Sequence, residues 1–276
     1  MVDGRIYVVG GAQGLERAVA RVESLDPVTG TWRSEADLTE GRMFPGVASA
    51  GGLLYAFGGI FDGETDFVTS MEVLGPRTGR WRFGASPPRG IDRVAAVSDG
   101  RKIYSVGGLT EGIENDPTIL VFDTQTDTWD SLPPMSHSRH GAAAVILDDV
   151  LYVMGGYGPR PLGSVEAYDL SAGTWSEKAS LLVPRGFAGA AAVNGRIYLY
   201  GGRVSDRRVV TEVYDPRTDS WTAAARIPEW RDRFASVAHE GKLYVIGGEA
   251  NFGAGFGRKV LVYDVAQDRW SRLSRR

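Results

Sequence analysis

Apolar positions along this chain come in short runs of strand length, broken by glycine, asparagine, aspartate and proline. The stretch around residue 200 shows the unit. A small-residue run over 187–193 meets Asn194-Gly195, a two-residue hairpin signal. A second run over 196–200 ends at Gly201-Gly202, and a polar loop over 203–208 leads to a third run over 209–214. After Asp215-Pro216-Arg217-Thr218-Asp219-Ser220 a fourth run starts at Trp221. The pattern predicts four antiparallel strands, A to D, joined by tight turns.

The unit recurs through the chain. Gly-Gly doublets with Tyr three residues earlier occur six times: Tyr7/Gly10-Gly11, Tyr55/Gly58-Gly59, Tyr104/Gly107-Gly108, Tyr152/Gly155-Gly156, Tyr198/Gly201-Gly202 and Tyr244/Gly247-Gly248. They are spaced by 48, 49, 48, 46 and 46 residues. Trp32, Trp81, Trp129, Trp175, Trp221 and Trp270 keep step, each six residues after Asp26, Gly75, Asp123, Asp169, Asp215 or Asp264. Four residues after that Asp or Gly position stands Gly30, Gly79, Asp127, Gly173, Asp219 or Asp268, types that tolerate the left-handed conformation a C–D turn needs. One four-stranded sheet cannot bury both faces alone, so stacking of successive sheets is expected, with Tyr and Trp filling the space between them.

The Gly-Gly doublet, the preceding Tyr, the spaced Trp and strands such as Val165-Glu166-Ala167-Tyr168-Asp169 resemble the kelch repeat, over nearly the whole chain. The resemblance implies an all-β, six-bladed kelch β-propeller with four antiparallel strands per blade, as a single domain over 1–276. Leu120 and Leu261 depart from it, replacing the strand-C glutamate of Glu23, Glu72, Glu166 and Glu212.

Strands B, C and D occur six times, strand A only five, because Val2-Asp3-Gly4-Arg5-Ile6-Tyr7 aligns with the A–B hairpin at Val193-Asn194-Gly195-Arg196-Ile197-Tyr198. The first blade is therefore expected to lack its innermost strand here. Extension of the natural chain beyond one end is the preferred reading of that gap; a tolerated three-stranded blade is the other.

Strand direction places the D–A and B–C loops on one face. Counting back eight residues from the end of strand A gives Arg42, Arg89, Arg139, Arg185 and Arg231, expected as a ring on that face. In kelch adaptors of ubiquitin ligases, arginines at this repeat position bind acidic motifs, so the resemblance implies a protein, an acidic peptide or a carboxylated small molecule as partner. Planar guanidinium forks suit carboxylates in a partly desolvated concavity. The alternative is that each arginine pairs within its scaffold, with the strand-C glutamate of its own or a neighbouring blade. Tyr157, Arg203 and Glu249 complete the candidate ligand-binding set. Arg93, Arg207, Arg208, Arg233, Trp230, Asp92 and Asp232 lie on the same face, with the acidic loops 61–66 and 111–116 and the glycine-rich loop 249–257.

Composition narrows the chemistry. With no cysteine, disulfides, Cys-ligated zinc and Cys–Tyr copper oxidase chemistry are excluded. A formal net charge of −3 gives no argument for nucleic acid, and no apolar run is long enough to span a membrane as a helix. His137, His140 and His239 are the only histidines and do not have the spacing of a strong metal motif, so no cofactor is expected. A monomeric binding scaffold is the reading these features favour, and no signal peptide is expected from the first residues. The runner-up, resting on likeness to some bacterial kelch propellers, is a sialic-acid mutarotase-like enzyme using a carboxylate-binding Arg and an acid/base carboxylate.

Overall fold

A computed structural model describes residues 1–13, 17–61, 66–75, 77–112, 115–204, 210–250, 255–257 and 259–273. The chain is all-β and divides into two compact units, Met1–His140 and Gly141–Ser274. Each unit carries three repeat sheets.

In the first unit the opening sheet has three strands, Ile6–Val9, Val22–Leu25 and Trp32–Ser34. Its neighbours have four: Gly46–Ala50, Leu53–Phe57, Met71–Gly75 and Arg80–Gly84, then Ala95–Ser98, Lys102–Val106, Ile119–Asp123 and Thr128–Leu132. In the second unit all three repeat sheets have four strands. They are Ala143–Leu147, Val150–Met154, Val165–Asp169 and Thr174–Lys178; Gly189–Val193, Arg196–Tyr200, Thr211–Asp215 and Ser220–Ala224; and Ala235–His239, Lys242–Ile246, Leu261–Asp264 and Arg269–Arg272. Every pairing is antiparallel, in the order A-B-C-D. The first sheet thus lacks strand A among the described residues, as its sequence alignment predicts.

Strand chemistry follows from position. A strands are rich in Gly and Ala because within a unit they pack on one another, as the fifth does on the fourth and sixth. B and C strands are apolar and buried, as in Arg196–Tyr200 and Met71–Gly75. Their side chains fill the space between neighbouring sheets: Tyr55, Phe57, Val73, Ile103 and Phe122 form one such core, and Tyr198, Tyr200, Leu243, Val245 and Tyr263 another.

The repeated Trp joins neighbouring sheets by a polar contact as well as by area. Trp81 Nε1 donates to the Ala36 carbonyl, Trp129 to Ala85 and Trp221 to Ala179, each at 2.8 Å, and Trp270 to Ala225 at 3.1 Å. Each bond runs from strand D of one sheet to the chain leaving strand D of the preceding sheet. The C–D turns are left-handed where predicted, with φ of 56°, 47° and 46° at Asp127, Asp219 and Asp268.

Candidate functional site

The second glycine of each doublet sets a reference for the loops. Its N–H donates to a carbonyl ahead of strand A in the next sheet: Gly11 to Arg42, Gly59 to Ile91, Gly108 to Arg139, Gly156 to Arg185 and Gly202 to Arg231. This defines the ring position and corrects one member of it. In the third sheet the position is held by Ile91, and Arg89 lies two residues earlier. The reason is visible in strand C, where this sheet has Leu120 instead of glutamate. Ile91 and Leu120 share one apolar cluster and take the place of an ion pair.

At the other ring positions the arginine is sealed from solvent, and at Arg42 and Arg185 it forms a buried ion pair. Arg42, Arg139, Arg185 and Arg231 are 0–1% exposed, the largest fully buried side chains among the described residues. Arg42 Nη2 meets Glu72 Oε1 at 2.9 Å, and Nη1 donates to the Gly58 and Ser70 carbonyls. Glu72 also accepts the Thr39 and Glu40 N–H groups, so both ions are fully hydrogen-bonded. Arg185 repeats the scheme with Glu212 and with the Leu182 and Val183 N–H groups. Burial pulls the Arg42 pKa down and pushes the Glu212 carboxyl up. Arg139 donates through Nε to the His137 carbonyl at 3.2 Å. Arg231, with Leu261 in strand C, turns to Glu229 at 3.0 Å, and Gly257 lies so close over its guanidinium that a Cβ there would overlap it. Arg89 is 37% exposed and bonded to buried Asp116.

The other three candidates come together through one repeat position. Tyr157, Arg203 and Glu249 each follow the Gly-Gly doublet of successive sheets, where the first unit has Ala12, Ile60 and Leu109. Residues at this position pair across the loop with the residue after the ring: Ile60 with Met43, Leu109 with Asp92, Arg203 with Gly186, and Glu249 with Asp232. In the second unit this builds a charged network. Arg203, 40% exposed, donates through Nε to Asp232 Oδ2 at 2.8 Å and through Nη2 to Glu249 Oε2 at 3.0 Å. Arg233 bonds the other Glu249 oxygen and stacks on Phe187, 4.9 Å from its ring centre. The Tyr157 hydroxyl donates to the Arg203 carbonyl at 3.2 Å, and its ring packs on Phe187.

Two guanidiniums and two carboxylates leave this network formally neutral. Burial raises the Asp232 carboxyl above its ordinary range, against the pull of Arg203. Burial alone would lower Arg203, but Asp232 and Glu249 hold it above its usual value. A related feature recurs in the first unit, where Asp92 pairs with Arg93 at 3.0 Å and Arg93 lies over Phe44. In both places the arginine has positive φ, 53° at Arg93 and 52° at Arg233, which turns its side chain back over the aromatic ring. The sequence signal for these was the repeated Asp-Arg pair directly after ring residues Ile91 and Arg231. Trp230 is buried, with Nε1 donating to the Gly202 carbonyl.

No group of three metal-ligating side chains occurs among the described residues. His140 instead bonds Asn115 at 2.8 Å. Residues 62–65, 113–114 and 251–254, with Arg207 and Arg208, lie outside the described residues.

A family model described as the KLHDC2/KLHL20/DRC7 Kelch-repeats domain matches residues 93–276, and the Kelch motif model matches 1–39 and 41–88. The chain belongs to the kelch-repeat family. Human Kelch-like protein 35 is 40% identical over 63 residues, a stretch that is 23% of this chain and 11% of that protein. The solved structure of YjhT matches with a TM-score of 0.83 and 17% identity, over 99% of this chain and 95% of that one. Repeat sheets, family and structural likeness agree on a kelch β-propeller.

Proposed function

We propose that this protein is a non-catalytic binding scaffold that recognises a carboxylate-bearing partner through the loops of its second unit, centred on Arg203 with Tyr157 and Glu249. The carrying observation is a contrast in exposure. Four ring arginines are 0–1% exposed and hydrogen-bonded within the scaffold, whereas Arg203 is 40% exposed and clamped on two sides. A guanidinium whose rotamer is already fixed loses little entropy on meeting a carboxylate. Ligand recognition by loops over a rigid sheet scaffold also suits a propeller.

Calorimetric titration of acidic peptides and of a carboxylated sugar tests this reading. Arg203→Ala is expected to weaken binding by at least about tenfold and, because it strips buried Asp232 of its partner, to lower the melting temperature. Arg203→Lys, which keeps a cation there, is expected to recover stability but only part of the binding. Equal binding by the parent and Arg203→Ala would remove the site. The raised Asp232 carboxyl beside Arg203 gives the enzymatic reading its one support, an acid next to an anion-binding arginine. Acceleration of sugar mutarotation, lost in Asp232→Asn, would replace the scaffold with that enzyme.

A further inference from the structure

Next to Arg203 the backbone forms a small three-stranded sheet from Arg231–Asp232, Glu249–Ala250 and Gly255–Phe256. Its register aligns Asp232 with Glu249 and Glu249 with Phe256. Directly opposed residues of antiparallel strands project to the same face, with neighbours about 5 Å apart. Asp232, Glu249 and Phe256 therefore form one row, and Arg203 spans its first two members. Phe256, at the far end, is 50% exposed, one of few large apolar side chains that are. Arg203 Nη1 is engaged by no described residue.

A cation and an apolar platform thus stand on one strip, Arg203 bridging Asp232 and Glu249 and Phe256 one strand (about 4.8 Å) beyond Glu249. In an extended peptide, side chains at i and i+2 share a face and lie about 6.6–7 Å apart. We infer that the site takes an extended peptide segment in which a glutamate or aspartate and a large apolar residue are two positions apart, the acid on Arg203 and the apolar side chain on Phe256. This rests on the proposed binding reading and adds a selectivity residue, Phe256, to it. Among the described residues both carboxylates of the row are bound by Arg203 and Arg233, so neither is left without a counter-charge to repel the acid of a peptide.

Three short peptides test it, each with one glutamate among serines: one with leucine two residues after the acid, one with leucine next to it, and one without leucine. Fluorescence anisotropy with the full chain is expected to show the i+2 peptide binding about tenfold more tightly than the other two. Phe256→Ser, a change at an exposed position, is expected to erase that ratio while leaving affinity for the leucine-free peptide unchanged. Arg203→Ala is expected to weaken all three. An i+2 advantage that survives Phe256→Ser, or an equal gain from the adjacent leucine, overturns the inference but leaves the binding site standing. Failure of all three peptides to bind, with a carboxylated sugar still binding in an Arg203-dependent way, overturns it in favour of a small ligand. Failure of every anionic ligand defeats both readings.

Discussion

At the scale of single residues, the determining feature is where each arginine finds its carboxylate. Arg42 and Glu72 are 0% exposed and, among the described residues, Glu72 pairs with Arg42 alone while Arg42 also meets Glu40 at the rim. Removing one leaves a buried ion uncompensated, at a cost of about 3–5 kcal/mol. The third sheet carries the apolar solution, Ile91 with Leu120. Arg42→Ile and Glu72→Leu are each expected to destabilise by that amount, and the double variant to fall short of their sum by about 2 kcal/mol. Urea denaturation of the four proteins measures the cycle. Strict additivity would mean that the pair is not coupled.

Asp232 makes a separate prediction about pH. Burial raises its carboxyl in the folded protein, so its contribution to stability is present below the ordinary carboxylate value, about 4, and is lost as pH rises through the raised value. Parent stability relative to Asp232→Asn should therefore decline as pH increases across that window. A difference that grows with pH would show the opposite linkage. Protonation of Asp232 also gives the neutral network a positive charge, which favours an anionic ligand on the acid side.

At the scale of elements, the doublet glycines act as spacers as well as turns. Gly58 has φ of 61°, and a Cβ there would run into the carbonyl of Ile91. Gly247 has φ of 70°, with no described atom within 4 Å of its Cβ position. Both Gly→Ala changes incur backbone strain of about 1–3 kcal/mol, and only Gly58→Ala adds a clash. Gly58→Ala should therefore lower the melting temperature more than Gly247→Ala does. Equal shifts would assign the whole cost to φ.

The same elements show what a sequence can disclose. Strand order, hairpin turns and the Trp contacts were legible because each rests on local spacing repeated along the chain. The shift of Arg89 off the ring was not, since residue counting cannot see a two-residue change in loop register. Its clue was non-local: Leu120 in strand C leaves no carboxylate for a ring arginine. The site was half legible. Tyr157, Arg203 and Glu249 stood out one by one, but their common place after the Gly-Gly doublet is what brings them together, and the sealing of Arg231 under Gly257 needed coordinates.

At the scale of the molecule, the four arginines at the ring position turn their guanidinium groups inward. The kelch family assignment explains the sheets, and the pairing of Arg42 and Arg185 with strand-C glutamates explains why arginine and glutamate recur together in them. The proposed recognition site lies in the loops of the second unit, where repeat positions that are apolar in the first unit become Tyr157, Arg203 and Glu249. Substitutions in the buried pairs should therefore lower thermal stability, and substitution at exposed Phe256 should alter ligand binding at constant stability.

Arginine-selective dicarbonyl labelling of the folded protein, read by peptide mass spectrometry, tests this division most directly. Arg203 should be modified and protected by an acidic peptide, while Arg42, Arg139, Arg185 and Arg231 stay unmodified until the protein unfolds. Labelling of those four in the folded state, with ligand protection there and not at Arg203, would contradict it.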